Sequence, residues 1–458
     1  MIALFIIIGN GLLALLAEIF KFQKFIFNIT FVLLLAALAS NYWAWQHPQA
    51  FAPFSNMICF NMLELVLSSL LIAATILWLF IQRASHNHQT FGTDLSSLIL
   101  FALAGGLLLT AFQNLTTLFI GVELLSIPLY VLAASHKDSA DSHEAGFKYL
   151  ILGAFASALL LFGIALLYGG AASFDINAIQ AYLNAQANLP AFVKMGMLLL
   201  LIAFCFKVAI APFHFWSPDV YEGAPMAITA FMSTVAKTAS FYAFFKITMV
   251  CFNAPHTFWI SMLMAFAVLS LILANTSALG QKHLKRLFAY SGISHSAFLL
   301  LIIIAQQKQA LSVNALIMYT ESYMLSGLGA FAILVKHGDV ISDYAGFAKR
   351  NPTSAFSFSV CLLSMAGIPI TAGFFSKYMV FVLLLSSSVS IWVSVIAIVA
   401  ALIGIYYYIR LITQLYSKTA EEPKGPIQTD NNWIALLCAI ALLVIGFFPQ
   451  SLGGIFTF

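Results

Sequence analysis

Apolar residues run along this chain in long blocks separated by short polar stretches. A block of about twenty residues is what a helix needs to cross roughly 30 Å of hydrocarbon. The blocks fall at 2–20, 25–45, 58–82, 95–112, 115–135, 144–168, 191–222, 224–250, 257–279, 284–305, 310–335, 353–385, 391–417 and 433–455. Inside them the apolar positions are continuous rather than alternating, which predicts helices and excludes a transmembrane barrel. The pattern predicts an all-α polytopic membrane protein with about fourteen transmembrane helices. The first block has no basic segment before it and no small-residue cleavage site, so it reads as a span rather than a secretory signal.

The seventh and twelfth blocks are too long for one crossing, and each contains helix breakers. Ala211-Pro212 and Ser217-Pro218 interrupt the seventh; Gly367-Ile368-Pro369 and Ala372-Gly373 interrupt the twelfth. A broken helix at membrane depth frees backbone groups that can hold water or ions. The two breaks lie five blocks apart, so blocks 4–8 and 9–13 form two five-helix units with one break each. An odd number of crossings per unit inverts one relative to the other, the arrangement of transporters whose site lies near the bilayer midplane. The expected organisation is three peripheral N-terminal helices over 1–90, the two repeats over 91–252 and 253–418, and a C-terminal helix over 419–458.

Composition and charge sharpen this picture. Of the residues, 62% are hydrophobic and 8% charged, against about 25% charged in a soluble domain. The lipid bilayer is the surrounding this implies, and nothing points to nucleic acid. Thirteen basic residues sit in loops or helix ends on one side: Lys21, Lys24, Arg83, Lys137, Lys282, Lys285, Arg286, Lys336, Lys349, Arg350, Arg410, Lys418 and Lys424. The other side has two, Lys194 and Lys308. The positive-inside rule then places both termini on the outer side of the membrane. The five cysteines show no metal or redox spacing and read as packing residues, so no metal site is expected. No Gly-rich phosphate loop or dinucleotide fingerprint precedes a helix, so no cofactor is expected in this chain.

The remaining five lysines, Lys148, Lys207, Lys237, Lys246 and Lys377, lie inside the apolar blocks. An ammonium at the bilayer centre costs at least ~2.5–3.5 kcal/mol on insertion scales. Lys207, Lys237 and Lys377 are too deep to snorkel, so function rather than packing explains them. A buried ammonium yields its proton more readily than a solvated one, and a row of such groups can pass protons. Lys148 and Lys246 are within about two turns of a block end, and snorkelling competes with function there. Glu123, mid-block in the fifth segment, is a relay acid or the partner of a lysine. His214 would share a face with Lys207 on an intact helix, with Pro212 between them. It reads as proton-handling or as a packing histidine. His295, flanked by serines, could link Lys237 and Lys377 through water. Glu321 sits inside the eleventh block, as a relay member or as a structural partner of a lysine. Glu144 precedes Lys148 by one turn and can pair with it. Glu64 and Glu18, on peripheral helices, read as packing or interfacial residues, and Asp94 opens a helix.

The run from Phe206 to Pro225, FKVAIAPFHFWSPDVYEGAP, resembles the signature of the antiporter-like subunits of respiratory complex I. Its SPDVYEGAP part is similar to subunit N of bacterial NADH:quinone oxidoreductase. GVELLSIPL from Gly121, KRLFAYSGISH from Lys285 and SMAGIPITAGFFSK from Ser364 match the same family. Together they cover blocks 4 to 13. The resemblance implies that Glu123 and Lys207 pair between the fifth and seventh helices, that Lys237 is the central lysine, and that Lys377 is the terminal group on the twelfth. A lysine there, rather than the glutamate of subunit M, favours the N branch, and the chain is too short for the lateral helix of subunit L. Glu321 departs from the small or apolar residue the family implies. The implied function is proton translocation by a non-redox subunit, coupled to quinone reduction in other subunits. The implied partners are subunit M and the small membrane subunits leading to the quinone site, in the bacterial inner membrane. A subunit of a multi-subunit cation/proton antiporter is the alternative, against which the segment from His214 to Tyr221 and Lys377 both speak. A passive scaffold would not retain three deep lysines.

Overall fold

A backbone in hydrocarbon must satisfy every amide within itself, and continuous apolar blocks do so as helices. The computed structural model describes residues 1–47, 54, 56–85, 93–252, 258–305, 309–387, 389–417 and 432–449. Lys308, Lys418, Lys424, the side chain of Glu18 and the end of the last block lie outside the described residues. Among the described residues there is no strand, and each of the fourteen apolar blocks holds helix. The helices are α1 Ile2–Ile19, α2 Ile26–Gln46, α3 Met62–Ser85, α4 Thr93–Ala111, α5 Leu115–Ala133, α6 Ala140–Ala171, α7 Ile176–Ala185, α8 Ala191–Lys207, α9 Trp216–Gly223 and α10 Met226–Phe231. They continue as α11 Lys237–Lys246, α12 Phe258–Ala278, α13 Leu284–Ile304, α14 Gln309–His337, α15 Phe347–Arg350, α16 Pro352–Ala366, α17 Ala372–Ser386, α18 Ile391–Leu415 and α19 Trp433–Phe447.

The chain divides into two compact units, one of Met1–Ala209 with Gly223–Trp259, the other of Ile210–Glu222 with Ile260–Phe458. In the first, α6 and α8 approach closely because Gly163 and Gly196 face each other: a Cβ on Gly163 would lie 2.9 Å from the Gly196 carbonyl oxygen. Trp78 on α3 donates its indole N–H to the Ala227 carbonyl at 2.6 Å, which fixes the start of the eighth block. Asn114 caps α5 through Thr116 N–H at 2.8 Å, and Asp175 caps α7 through Asn177 and Ala178. Helix α7 falls in a stretch that the block pattern leaves as a loop. It buries only Ile176, Ile179 and Leu183, one narrow face of ten residues, too short to register as a span.

The eighth block carries two widened π-helical turns, Met232–Ala236 and Ile247–Cys251, on either side of α11. Hydroxyls explain where they fall. Ser233 and Thr234 both donate to the Ala230 carbonyl, and Thr248 donates to those of Phe244 and Phe245. Side chains that take backbone acceptors compete with the regular ladder.

Both expected breaks are present. Helix α8 stops at Lys207, with Ala209 in the left-handed region at φ 59. Helix α16 stops at Gly367, whose φ of +80 suits a residue without Cβ. Pro369 blocks continuation, and α17 restarts after Ile370, which holds φ 82. Gly373 at the restart lies against the Ser364 carbonyl, where a Cβ would have no room.

Candidate functional site

In the first unit the break in the seventh block sets the position of Lys207 as the last residue of α8. A helix C-terminus favours a cation. Its ammonium donates to Ser126 Oγ at 3.0 Å and to Tyr130 Oη at 3.1 Å, both on α5, and lies 5.7 Å from the Tyr130 ring centroid. Pro128, between the two, removes one backbone donor from α5. Glu123 stands on the same helix, one turn before Ser126, with Oε1 buried and without a hydrogen-bond partner. Among the described residues Glu123 and Lys207 are not in direct ion-pair contact. Two neutral hydroxyls, closer along α5, hold the ammonium instead.

Lys237 opens α11 directly after the first widened turn and is 3% exposed. π-Turns are often found at functional positions because they displace a helix face. Glu144 and Lys148 do pair, at 2.7 Å, but their side chains are 62% and 38% exposed. An exposed i,i+4 pair contributes about 0.3–0.5 kcal/mol. Lys246 does not snorkel. Its ammonium meets Glu64 Oε1 of α3 at 2.9 Å, with side-chain exposures of 13% and 10%. Glu64, read from the sequence as a packing or interfacial residue, is one half of a nearly buried ion pair. The separation of 182 positions hid that pairing from any local pattern.

In the second unit Lys377 lies one turn into α17 and is 8% exposed. Its ammonium donates to the carbonyls of Met365 at 3.1 Å and Ala366 at 2.8 Å. Those carbonyls are the acceptors that the end of α16 leaves without intrahelical donors. The break thus creates the acceptors, and the lysine beyond it fills them. A Cβ on Gly367 would sit 2.7 Å from Lys377 Cδ, so glycine is needed there for space as well as for φ. The Lys377 side chain lines a small cavity shared with His295, Tyr319, Ser322, Tyr323 and Ser376. A cavity this small with a polar lining suits water rather than a substrate molecule.

His295 on α13 bonds through Nδ1 to Tyr319 Oη at 2.9 Å and through Nε2 to Tyr408 Oη at 3.5 Å. Tyr408 also bonds Ser291. His214, in the turn before α9, is buried with Nδ1 unpartnered. Glu321 on α14 makes no ion pair with Lys377, and its Oε2 is buried without a hydrogen-bond partner. Next to it, Ser322 Oγ bonds Ser376 Oγ at 2.7 Å. The acidic residues of the SPDVYEGAP run have partners the sequence did not reveal: Arg286 meets Asp219 at 3.1 Å and Glu222 at 2.6 Å, and Lys285 bonds the Glu222 carbonyl. Among the described residues no three His, Cys, Asp or Glu side chains converge as a metal site.

The hydroxyl partners Ser126, Tyr130, Tyr319, Tyr408 and Ser376 escaped the sequence reading. Serine and tyrosine are ordinary in membrane helices, and only spacing to a lysine on another helix would mark them.

These elements define a polytopic all-α membrane protein with two interrupted helices, one ending at the half-buried Lys207 and the other restarting a turn before the buried Lys377. A sequence model for the NADH:quinone oxidoreductase/Mrp antiporter transmembrane region matches residues 112–404. NADH-quinone oxidoreductase subunit N of Flavobacterium psychrophilum is 35% identical over 96% of this chain and 96% of its own length. Among solved structures, a chain of respiratory complex I from Thermus thermophilus is 28% identical, with TM-score 0.82 over 98% of both chains. A chain of the Mrp complex from a Dietzia species shares the fold, with TM-score 0.86 at 20% identity over 99% of this chain and 95% of that one. The chain belongs to the NADH:quinone oxidoreductase/Mrp antiporter membrane family and, within it, to the subunit N group.

Proposed function

We propose that this chain translocates protons as a non-redox membrane subunit of NADH:quinone oxidoreductase. The carrying observation is how the lysines at the breaks are held. Two hydroxyls hold Lys207 and two free carbonyls hold Lys377, rather than carboxylates. Such a lysine is satisfied in either protonation state. A neutral amine keeps two N–H donors for the carbonyls, and a hydroxyl can reverse and donate to the amine. A carboxylate in direct contact would instead trap the proton, since an opposite charge favours the charged form.

In this reading Lys207, Lys237 and Lys377 are the carriers. Glu123 is a mobile counter-charge on α5, one turn from the hydroxyls that hold Lys207. Its approach holds the proton on the lysine and its withdrawal releases it. His295 and its tyrosines relay between carriers through water, with His214 and Glu321 as secondary groups. The Lys148–Glu144 pair lies at the edge of the row. No cofactor or metal is assigned to this chain. Its partners are subunit M and the small membrane subunits leading to the quinone site, in the bacterial inner membrane with both termini outside. An Mrp-type antiporter subunit shares the fold, but the identity over nearly the full length is with subunit N.

The test is Lys237→Ala in the assembled complex. Electron transfer from NADH to an artificial acceptor is expected to persist, while proton pumping with quinone as acceptor is lost. Full pumping per electron in the assembled variant would refute the reading.

A further inference from the structure

One charge pair at the end of the first unit lies outside the row above. Lys246 and Glu64 meet at 2.9 Å in an environment that leaves each side chain nearly buried. Removing two ions from water is expensive, and an apolar pair of similar volume is often as stable or more so. A simple fastener between α3 and α11 does not need charges. Each ion also has a stabiliser of its own. Lys246 donates to the Thr110 carbonyl at 3.2 Å, in the last turn of α4, and sits 5.2 Å from the Phe112 ring centroid. Glu64 lies in the first turn of α3, where the helix dipole favours an anion. The pair can therefore neutralise or separate without leaving either group without an interaction. Lys246 closes the helix that Lys237 opens and directly precedes the second widened turn. The two lysines are nine residues apart, roughly 13 Å of helix rise and about half a turn around the helix.

We propose that Glu64 and Lys246 form a proton station at this end of the first unit, between Lys237 and the outer aqueous phase. The proton on Lys246 Nζ passes to Glu64 Oε1, giving a neutral amine and a carboxylic acid. The acid releases its proton to water, the carboxylate is restored, and the amine takes the next proton from the Lys237 side. Charge and protons balance over the cycle. The proposal rests on the proton-translocation reading of the row.

The decisive variant is Lys246→Arg in the assembled complex. Arginine preserves the positive charge and the ion pair, but its guanidinium does not deprotonate in proteins. Assembly and NADH oxidation by an artificial acceptor are expected to be normal, with loss of quinone-coupled proton pumping. Normal pumping in Lys246→Arg makes the pair a structural fastener and overturns the proposal. If the arginine does not fit and the complex fails to assemble, the uncharged double variant Glu64→Gln/Lys246→Met decides. An assembled complex that does not pump supports a proton role, whereas normal pumping or a second failure to assemble overturns it. Lys237→Ala run alongside separates the two ideas. If it abolishes pumping while Lys246→Arg pumps normally, the row stands and only the station is lost.

Discussion

Lys377 shows how one residue can depend on a neighbour that carries no chemistry. Gly367 ends α16 at φ +80 and leaves the Met365 and Ala366 carbonyls open to the ammonium. In Gly367→Ala, the left-handed conformation alone costs roughly 1–2 kcal/mol, and the new Cβ would stand 2.7 Å from Lys377 Cδ. The Lys377 side chain must shift, and its ammonium with it. We expect assembled complex to accumulate at a somewhat reduced level and to pump with markedly lower efficiency. Gly404→Ala on α18, where a Cβ first meets an atom at 3.6 Å, is the control expected to behave as the parent. Equal pumping in the two variants would detach the glycine from the lysine. At this scale the charged residues were legible because each is an exception within an apolar block. Their partners were not. Ser126, Tyr130, Tyr319 and Tyr408 differ from packing residues only through contacts with other helices. For the same reason the sequence places Glu123 and Lys207 at depth but does not reveal that Ser126 and Tyr130 contact the ammonium.

At the scale of elements, the breaks were legible and the π-turns were not. Proline and glycine announce a break by removing a donor or admitting a positive φ, so the interruptions fall where Pro212 and Pro369 place them. The π-turns at Met232–Ala236 and Ile247–Cys251 contain no breaker. They follow from serine and threonine back-bonds, which many regular helices also carry. The break in the twelfth block retains strain. Ile370, β-branched, holds φ 82 and is 55% exposed, while Gly446 of α19 packs against its carbonyl. A non-glycine residue in a sparsely populated region costs on the order of 1–3 kcal/mol. Ile370→Gly relieves that and gives back ~0.5–1 kcal/mol in backbone entropy. The variant is expected to be more stable by about 1 kcal/mol, seen as a higher midpoint in thermal unfolding of the detergent-solubilised complex. A lower midpoint would mean that the isoleucine side chain contributes more than its backbone costs.

For the whole molecule, the loop charges carry the argument that no packing detail supplies. Thirteen basic residues against two on the opposite side is a strong bias for loops this short. By the positive-inside rule the bias predicts which end of each helix faces outward. The N-terminal end of α3, the C-terminal end of α4 and the Lys246 end of α11 gather around one ion pair, and the outward face is where the charge rule puts that end. With the fourteen crossings that the block pattern predicts, the charge rule places both termini on the outer side. A C-terminal alkaline phosphatase fusion is therefore expected to be active, and a C-terminal green fluorescent protein fusion dark, in cells that assemble the complex. The opposite pair of results would turn the chain over. The Glu64–Lys246 station would then face the cytoplasm and take up protons rather than release them, and the order of transfer along α11 would reverse with it.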